Sequence, residues 1–224
     1  MQLQKVLEGL DYQLQGSLPQ IGGLSYDSRT VKQGDLFAAI SGMKMDGHDF
    51  VHEAAKKGAI AVLVEHWIPD LDLTQVVVKD TRYALGVASA NFYANPGRKL
   101  RVLGVTGTNG KTTSTFLVKS ILEHAGYKVG LIGTIQNWIA DMAVESERTT
   151  PESLDLQRLL AKMADEKVDF VVMEVSSHAL ELQRTAGLSF AGALFTNLTQ
   201  DHLDFHPSMD HYFGAKAKLF TSLR

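Results

Sequence analysis

The chain has 224 residues, 22 Lys and Arg against 25 Asp and Glu, a formal net charge of −3 and a hydrophobic fraction of 45%. That length holds one large domain or two modest ones, each able to bury a core, and the scattered, near-balanced charge offers no basic footprint for nucleic acid or an anionic membrane. The absence of cysteine excludes disulfides, zinc–thiolate centres and thiol catalysis. With no long apolar run and no N-terminal apolar core before a cleavage site, a cytoplasmic protein without membrane partners is expected.

In chain order, residues 4–10 have helical periodicity, with Val6, Leu7 and Leu10 on one face. Residues 35–40, 59–65 and 75–79 are apolar, partly β-branched runs of strand length, and 52–57 and 81–93 are helical between or after them. The breaker cluster Asn95-Pro96-Gly97-Arg98-Lys99 marks a domain boundary, so residues 1–98 and 99–224 are expected to fold as separate domains. Beyond it, 101–105, 128–132, 168–175 and 191–196 read as buried strands, and 112–124 and 153–165 as helices. Leu156, Leu159, Leu160 and Met163 form one buried stripe on the second helix. Thr150-Pro151 suits its start, threonine as cap and proline at the first helical position. The fold class is therefore α/β: a small N-terminal α/β domain, then a mostly parallel sheet covered by helices on both faces, with ligands expected at the carboxyl ends of its strands.

Between the strand at 101–105 and the helix at 112–124 lies Gly104-Val105-Thr106-Gly107-Thr108-Asn109-Gly110-Lys111-Thr112-Thr113. Gly107 and Gly110 lack a Cβ, so the backbone can take positive φ and turn amides toward an anion. Lys111 brings a point charge to the outer phosphates, Thr112 a hydroxyl suited to phosphate-bound Mg2+, and the following helix its N-terminal dipole. The usual pattern has a further glycine where Val105 stands, so only the Gly-x-x-Gly-Lys-Thr core is present. A chance turn with a capping threonine is the plain alternative; the strand before and helix after favour a loop for a nucleoside triphosphate.

The strand at 168–175 emerges into Glu174-Val175-Ser176-Ser177-His178. A carboxylate there can bind Mg2+ or position a nucleophile, or it can be a charge paired with an arginine. The last strand ends in Thr196-Asn197-Leu198-Thr199-Gln200-Asp201-His202-Leu203-Asp204-Phe205-His206. Ionisable groups so dense suit metal coordination, although such loops are usually just solvated.

The Gly107–Thr113, Glu174–His178 and Thr196–Asp204 segments together resemble the central domain of the Mur ligases. With Arg148-Thr149-Thr150-Pro151 and Tyr26-Asp27-Ser28-Arg29, the chain is similar to the MurE type, which adds the third residue of the peptidoglycan stem peptide. Branches that act on the nucleotide sugar first usually have histidine where Asn109 stands, and folylpolyglutamate synthetases usually have glycine-serine after the lysine. The resemblance runs from about Leu24 to the end of the chain, with these separated motifs in the same order and spacing.

The resemblance implies ATP and Mg2+ as cofactors, with Gly107, Thr108, Asn109, Gly110, Lys111, Thr112 and Thr113 at the nucleotide. It implies Thr112, Glu174 and His202 at the metal, and Lys111, Glu174, His202 and Lys216 in catalysis. Lys216 matches a lysine that the family carbamylates, converting an ammonium into an anion that organises Mg2+; the plain alternative is an unmodified exposed helix lysine. Tyr212, Phe213, Lys216 and Phe220 put Lys216 at the edge of an apolar helix face. Ser28, Thr149, Thr150, Ser176 and Arg184 correspond to contacts with the UDP-sugar substrate, competing with turn-forming and capping roles for Ser28 and Thr150. The loop 42–47 approaches the uracil in the family, with Met43 and Met45 differing from some members, and Leu182 stands where some relatives have glutamine.

The implied activity is ATP-dependent ligation of a diamino acid, L-lysine or meso-diaminopimelate, to UDP-N-acetylmuramoyl-L-alanyl-D-glutamate through an acyl phosphate. Family members continue well past the point where this chain stops, so weak ligand binding and no unaided ligation are expected of it. Another amide ligase of the superfamily would share the phosphate loop without recognising a UDP-sugar. A nucleotide-dependent binding module would have no role for Ser28 or Thr149 and Thr150. Oligomeric state is not readable.

Overall fold

The computed structural model describes residues 1–42 and 45–224 and divides into two compact units, Met1–Ala94 and Asn95–Arg224. In the first, α1 (Leu3–Val6), β1 (Gln13–Gln15), β2 (Gly23–Ser25), β3 (Asp35–Ala38), α2 (Val51–Lys56), β4 (Ala61–Val64), β5 (Thr74–Val77) and α3 (Thr81–Phe92) follow in order. The sheet runs β1-β5-β4-β3-β2, parallel from β5 to β2 with β1 antiparallel on the far edge. β3 and β4 are buried at every position, as central parallel strands must be. Phe37, Val62 and Val64 pack with Val51 and Ala54 of α2. Asp80 caps α3, its carboxylate accepting from the Arg82 and Tyr83 amides at 2.8 and 3.0 Å.

The helix expected over 4–10 is only one turn, because Gly9 takes a φ of +83° and turns the chain out of helical register. β1 and β2 carry little sequence signal: each has three residues, and β1 is exposed throughout.

The second unit contains β6 (Arg101–Thr106), α4 (Lys111–His124), β7 (Val129–Ile132), β8 (Asn137–Ile139), β9 (Met142–Val144), α5 (Ser153–Asp165), β10 (Phe170–Glu174), α6 (Ser177–Glu181), β11 (Gly192–Phe195) and α7 (Met209–Thr221). Its sheet runs β11-β6-β10-β7-β8-β9; the first four strands are parallel, and β8 and β9 add an antiparallel hairpin that the sequence reading lacked. The two-residue alternation of strands divides the core. Val102, Val171, Met173 and Ile132 face α5, whose Leu156, Leu159, Leu160 and Met163 meet them as the stripe predicts, together with Leu219 of α7. Val105, Val129 and Val172 face Val118 and Leu122 of α4 on the other side. Among the described residues no helix is long and apolar enough to cross a membrane.

The start of α5 differs from expectation. The helix begins at Ser153 with Glu152 in the capping position, and Pro151 lies outside it. Thr150 does not cap. Its buried hydroxyl donates to the Glu174 carbonyl at 2.9 Å and accepts from the Ser176 amide at 3.2 Å, tying the segment to the end of β10 instead.

Candidate functional site

β6 delivers the chain to the phosphate loop, where both glycines do what the sequence requires. Gly107 has a φ of +143°, and a Cβ there would lie 1.9 Å from the Thr196 Oγ1. Gly110 has a φ of +82° and precedes α4 without a capping side chain. The amides of Lys111, Thr112 and Thr113, at the first turn of this 14-residue helix, therefore have neither intrahelical partners nor a side-chain cap. The loop is latched to the segment after β11. The Thr108 amide donates to the Asn197 carbonyl at 2.9 Å, the Asn109 amide to Asn197 Oδ1 at 3.0 Å, and Thr196 Oγ1 to the Asn109 carbonyl at 2.6 Å. With those two amides turned toward Asn197, the surface open to an anion centres on the α4 N-terminus rather than on Asn109.

Lys111 folds over this loop, its Nζ donating to the Gly107 and Thr108 carbonyls at 2.9 Å each. Burial holds the ammonium below the usual lysine range, with Glu174 and Asp201 pulling the other way. Glu174, at the carboxyl end of β10, is 1% exposed. The arginine pairing left open by the sequence is not what holds it. Thr112 Oγ1 donates to both of its oxygens at 3.0 Å, and the amide and hydroxyl of Thr134 donate at 3.0 and 3.1 Å. Gly133 makes room for this carboxylate, since a Cβ there would meet Glu174 Oε1 at 2.4 Å. A buried carboxylate beside a threonine hydroxyl at the end of a parallel strand is a donor set that suits a hard divalent cation. Thr134 carried no sequence signal; only β7 and β10 lying side by side brings it here.

Lys216 is 1% exposed, although helical periodicity alone puts it at the edge of an apolar face. Its Nζ donates to the Gly107 carbonyl at 2.8 Å and lies 4.4 Å from the centre of the Tyr212 ring. Burial, then the charge of Lys111, brings its pKa down to about 8. One helical turn earlier, the Tyr212 hydroxyl shares a hydrogen bond with Thr108 Oγ1 at 3.2 Å.

The 201–206 loop divides. Asp201, His202 and Asp204 are exposed, whereas His206 is fully buried, between Ser177 Oγ at 2.9 Å and His211 Nδ1 at 3.1 Å. His202 stands at a φ of +53°, with its ring edge-on to His178 at 4.8 Å. His178 stacks on Phe205 at 4.1 Å, and burial keeps its imidazole below its ordinary pKa. Among the described residues, no three His, Asp or Glu side chains are grouped so as to hold a metal by themselves.

The remaining residues of interest lie close to these. Thr149 Oγ1 is 2.9 Å from Thr134 Oγ1, and so borders the Glu174 carboxylate. Ser176 caps α6 by accepting from the Ala179 amide at 3.1 Å. Arg184 Nη1 donates to the Thr150 carbonyl at 3.2 Å, and its Nε lies 3.0 Å from Glu152 Oε1. In the first unit, Ser28 is buried in the turn after β2, and the neighbouring Asp27 carboxylate grips the Arg29 guanidinium at 2.7–3.1 Å. Met45 is exposed; Met43 lies outside the described residues.

A parallel α/β sheet with a glycine loop, a lysine and an uncapped helix at one strand end, and a buried carboxylate at the next, defines the class of phosphate-loop nucleotide-binding proteins. Residues 105–224 match the Mur ligase middle domain and residues 20–93 the catalytic domain of the Mur ligase family; the chain belongs to the Mur ligase family. It is 51% identical, over 99% of its length, to the UDP-N-acetylmuramoyl-L-alanyl-D-glutamate–2,6-diaminopimelate ligase of Clostridium botulinum, covering 47% of that protein. Ligase 1 of that name from Clostridium acetobutylicum is 52% identical over 99% of this chain and 47% of its own length. A solved structure of a UDP-N-acetylmuramoyl-L-alanyl-D-glutamate–2,6-diaminopimelate ligase superposes with a TM-score of 0.85 at 30% identity, over 100% of this chain and 46% of that one. The chain spans about half the length of the relatives it matches.

Proposed function

We propose that this chain supplies the nucleotide and UDP-sugar sites of an ATP-dependent amide ligase that joins 2,6-diaminopimelate to UDP-N-acetylmuramoyl-L-alanyl-D-glutamate in the cytoplasm. The observation that carries the reading is the junction of β6, α4 and β10, where Lys111 lies on the glycine loop and the uncapped α4 N-terminus carries the Thr112–Glu174 pair. Relatives about 50% identical over nearly the whole chain support diaminopimelate over L-lysine as the added residue.

A carboxylate is a poor acyl donor, so ATP phosphorylates the D-glutamyl carboxylate, the amine of the incoming amino acid attacks the acyl phosphate, and phosphate leaves. Lys111 and the amides of Lys111, Thr112 and Thr113 spread the charge of the transferring phosphoryl group. Glu174 and Thr112, with His202, would hold Mg2+, which supplies further charge neutralisation when bound. Lys216 is the residue for carbamylation: addition of CO2 requires a neutral amine, and a pKa of about 8 leaves a usable neutral fraction near neutral pH. In this reading residues 1–98 bind the UDP-sugar through Ser28, and residues 99–224 hold ATP, with Thr149, Ser176 and Arg184 toward the sugar and diphosphate and the buried Thr150 bracing the end of β10 behind them.

Isothermal titration of the chain with Mg·ADP and with UDP-N-acetylmuramoyl-L-alanyl-D-glutamate, with phosphate release followed on adding 2,6-diaminopimelate or L-lysine, tests this. Weak binding of both ligands, without sustained phosphate release, is expected. Binding of ADP with indifference to the UDP-sugar would leave a different amide ligase, and binding of neither would overturn the proposal.

A further inference from the structure

α7 touches the phosphate loop at two residues. Tyr212 and Lys216 stand one turn apart and face the same way; the Tyr212 hydroxyl meets Thr108 Oγ1 at 3.2 Å, and Lys216 Nζ meets the Gly107 carbonyl at 2.8 Å. Thr108 Oγ1 is itself a junction, donating to the Thr199 carbonyl at 3.1 Å and accepting from the Thr199 amide at 3.0 Å. The Tyr212 ring also carries the Lys216 ammonium at 4.4 Å, and the whole side chain is buried. Neither the phosphate-loop motif nor the charge pattern of the loop at 201–206 gives Tyr212 a role.

We propose that Tyr212 is a positioning residue that couples the phosphate loop to Lys216: its hydroxyl sets Thr108, and through it the 196–199 latch, while its ring holds the lysine over the same loop. Two features favour coupling over plain packing. The hydroxyl bonds to a side chain that is already bonded to another segment, so a shift at Thr108 moves the latch and α7 together. The cation–π contact and the Lys216 hydrogen bond then transmit that shift to the ammonium. Buried networks of this kind respond to loss of one member by more than that member's own contact, which a cycle of single and double substitutions reads directly.

The inference rests on the proposed nucleotide reading only for its ligand arm, and the ligand-free arm separates the two. In the isotope-labelled chain without ligand, Tyr212→Phe should raise hydrogen exchange at the Thr108 and Thr199 amides about tenfold and keep the ring-shifted ε-methylene resonance of Lys216. Tyr212→Leu should lose that resonance shift as well. Mg·ADP titrated into the same proteins, well below their melting temperatures, should bind Tyr212→Phe about three- to tenfold more weakly, the scale of one net hydrogen bond. Thr108→Val should reproduce the exchange and affinity changes, and Thr108→Ser should not, which keeps the test available if a tyrosine variant fails to fold. Exchange at the two amides within twofold of the parent in Tyr212→Phe, or faster exchange with unchanged ADP affinity, would overturn the proposal. A parent chain that ignores ADP while Tyr212→Phe still loosens the two amides would remove the nucleotide reading and leave the coupling standing.

Discussion

Lys111 and Lys216, 105 positions apart in the chain, donate to one oxygen: the Gly107 carbonyl lies 2.9 Å from the first ammonium and 2.8 Å from the second. Two like charges sharing an acceptor in a buried site disfavour full protonation of the pair. Burial first, and then the charge of Lys111, brings the Lys216 pKa down to about 8 from an ordinary 10.5. Because the folded pKa is below the unfolded one, the folded protein holds this proton less tightly. The cost of the charged form is fully present below pH 8 and is relieved as pH rises from about 8 toward 10.5. The difference amounts to a few kcal/mol, at roughly 1.4 kcal/mol per pH unit. Chemical denaturation between pH 7.5 and 10 should show a rising component in the parent chain that Lys216→Met lacks. Equal slopes in the two proteins would remove the assignment.

Lys111→Ala withdraws both the charge proposed to meet the phosphates and a repulsion on Lys216. In an active ligase containing this chain, phosphoryl transfer should slow by about 10²–10³ or more, the scale of losing one preorganised electrostatic donor. ATP turnover near the parent rate would refute its role. In the isolated chain the Lys216 resonance of this variant should titrate above pH 8, because one cause of the depression is gone.

Gly107→Ala combines a backbone angle that side chains rarely adopt with a Cβ 1.9 Å from Thr196 Oγ1. The latch between the phosphate loop and the 196–199 segment must open to admit it. A stability loss of about 2 kcal/mol or more is expected, from strain plus lost hydrogen bonds. Gly110→Ala meets no neighbouring atom and carries only the backbone strain, so it should cost less. Urea titrations ranking the two in the opposite order would contradict this geometry.

Thr150→Val keeps the shape of a buried side chain and leaves the Ser176 amide and Glu174 carbonyl without their hydroxyl partner. Destabilisation by roughly 1–3 kcal/mol is expected, with Thr150→Ser much closer to the parent. If Thr150 acted as a helix cap, Thr150→Asp would be tolerated. At its observed place beside the Glu174 backbone, a buried carboxylate should be poorly tolerated, which denaturation midpoints will distinguish.

Much of this arrangement is legible in local sequence. Gly107, Gly110, Lys111 and Thr112 announce a loop between strand and helix because backbone freedom, charge and helix start are properties of adjacent residues. The α5 stripe and the buried strands β6, β7 and β10 follow from periodicity for the same reason. The α1 expectation failed where Gly9 turns the chain, and β1, β2, β8 and β9 escaped because three-residue strands carry too short a pattern.

What sequence alone determined is the strand–loop–helix with its glycines and lysine, the buried strands and the apolar stripe of α5. What the tertiary structure decided is the side-chain partners: Thr134 on Glu174, Thr150 on the β10 terminus, and Tyr212 and Lys216 under the phosphate loop. Each of those pairings spans between 24 and 109 residues. Propensity and periodicity act over a few residues along the chain, whereas a hydrogen bond or a burial penalty depends on which segments the sheet order sets side by side.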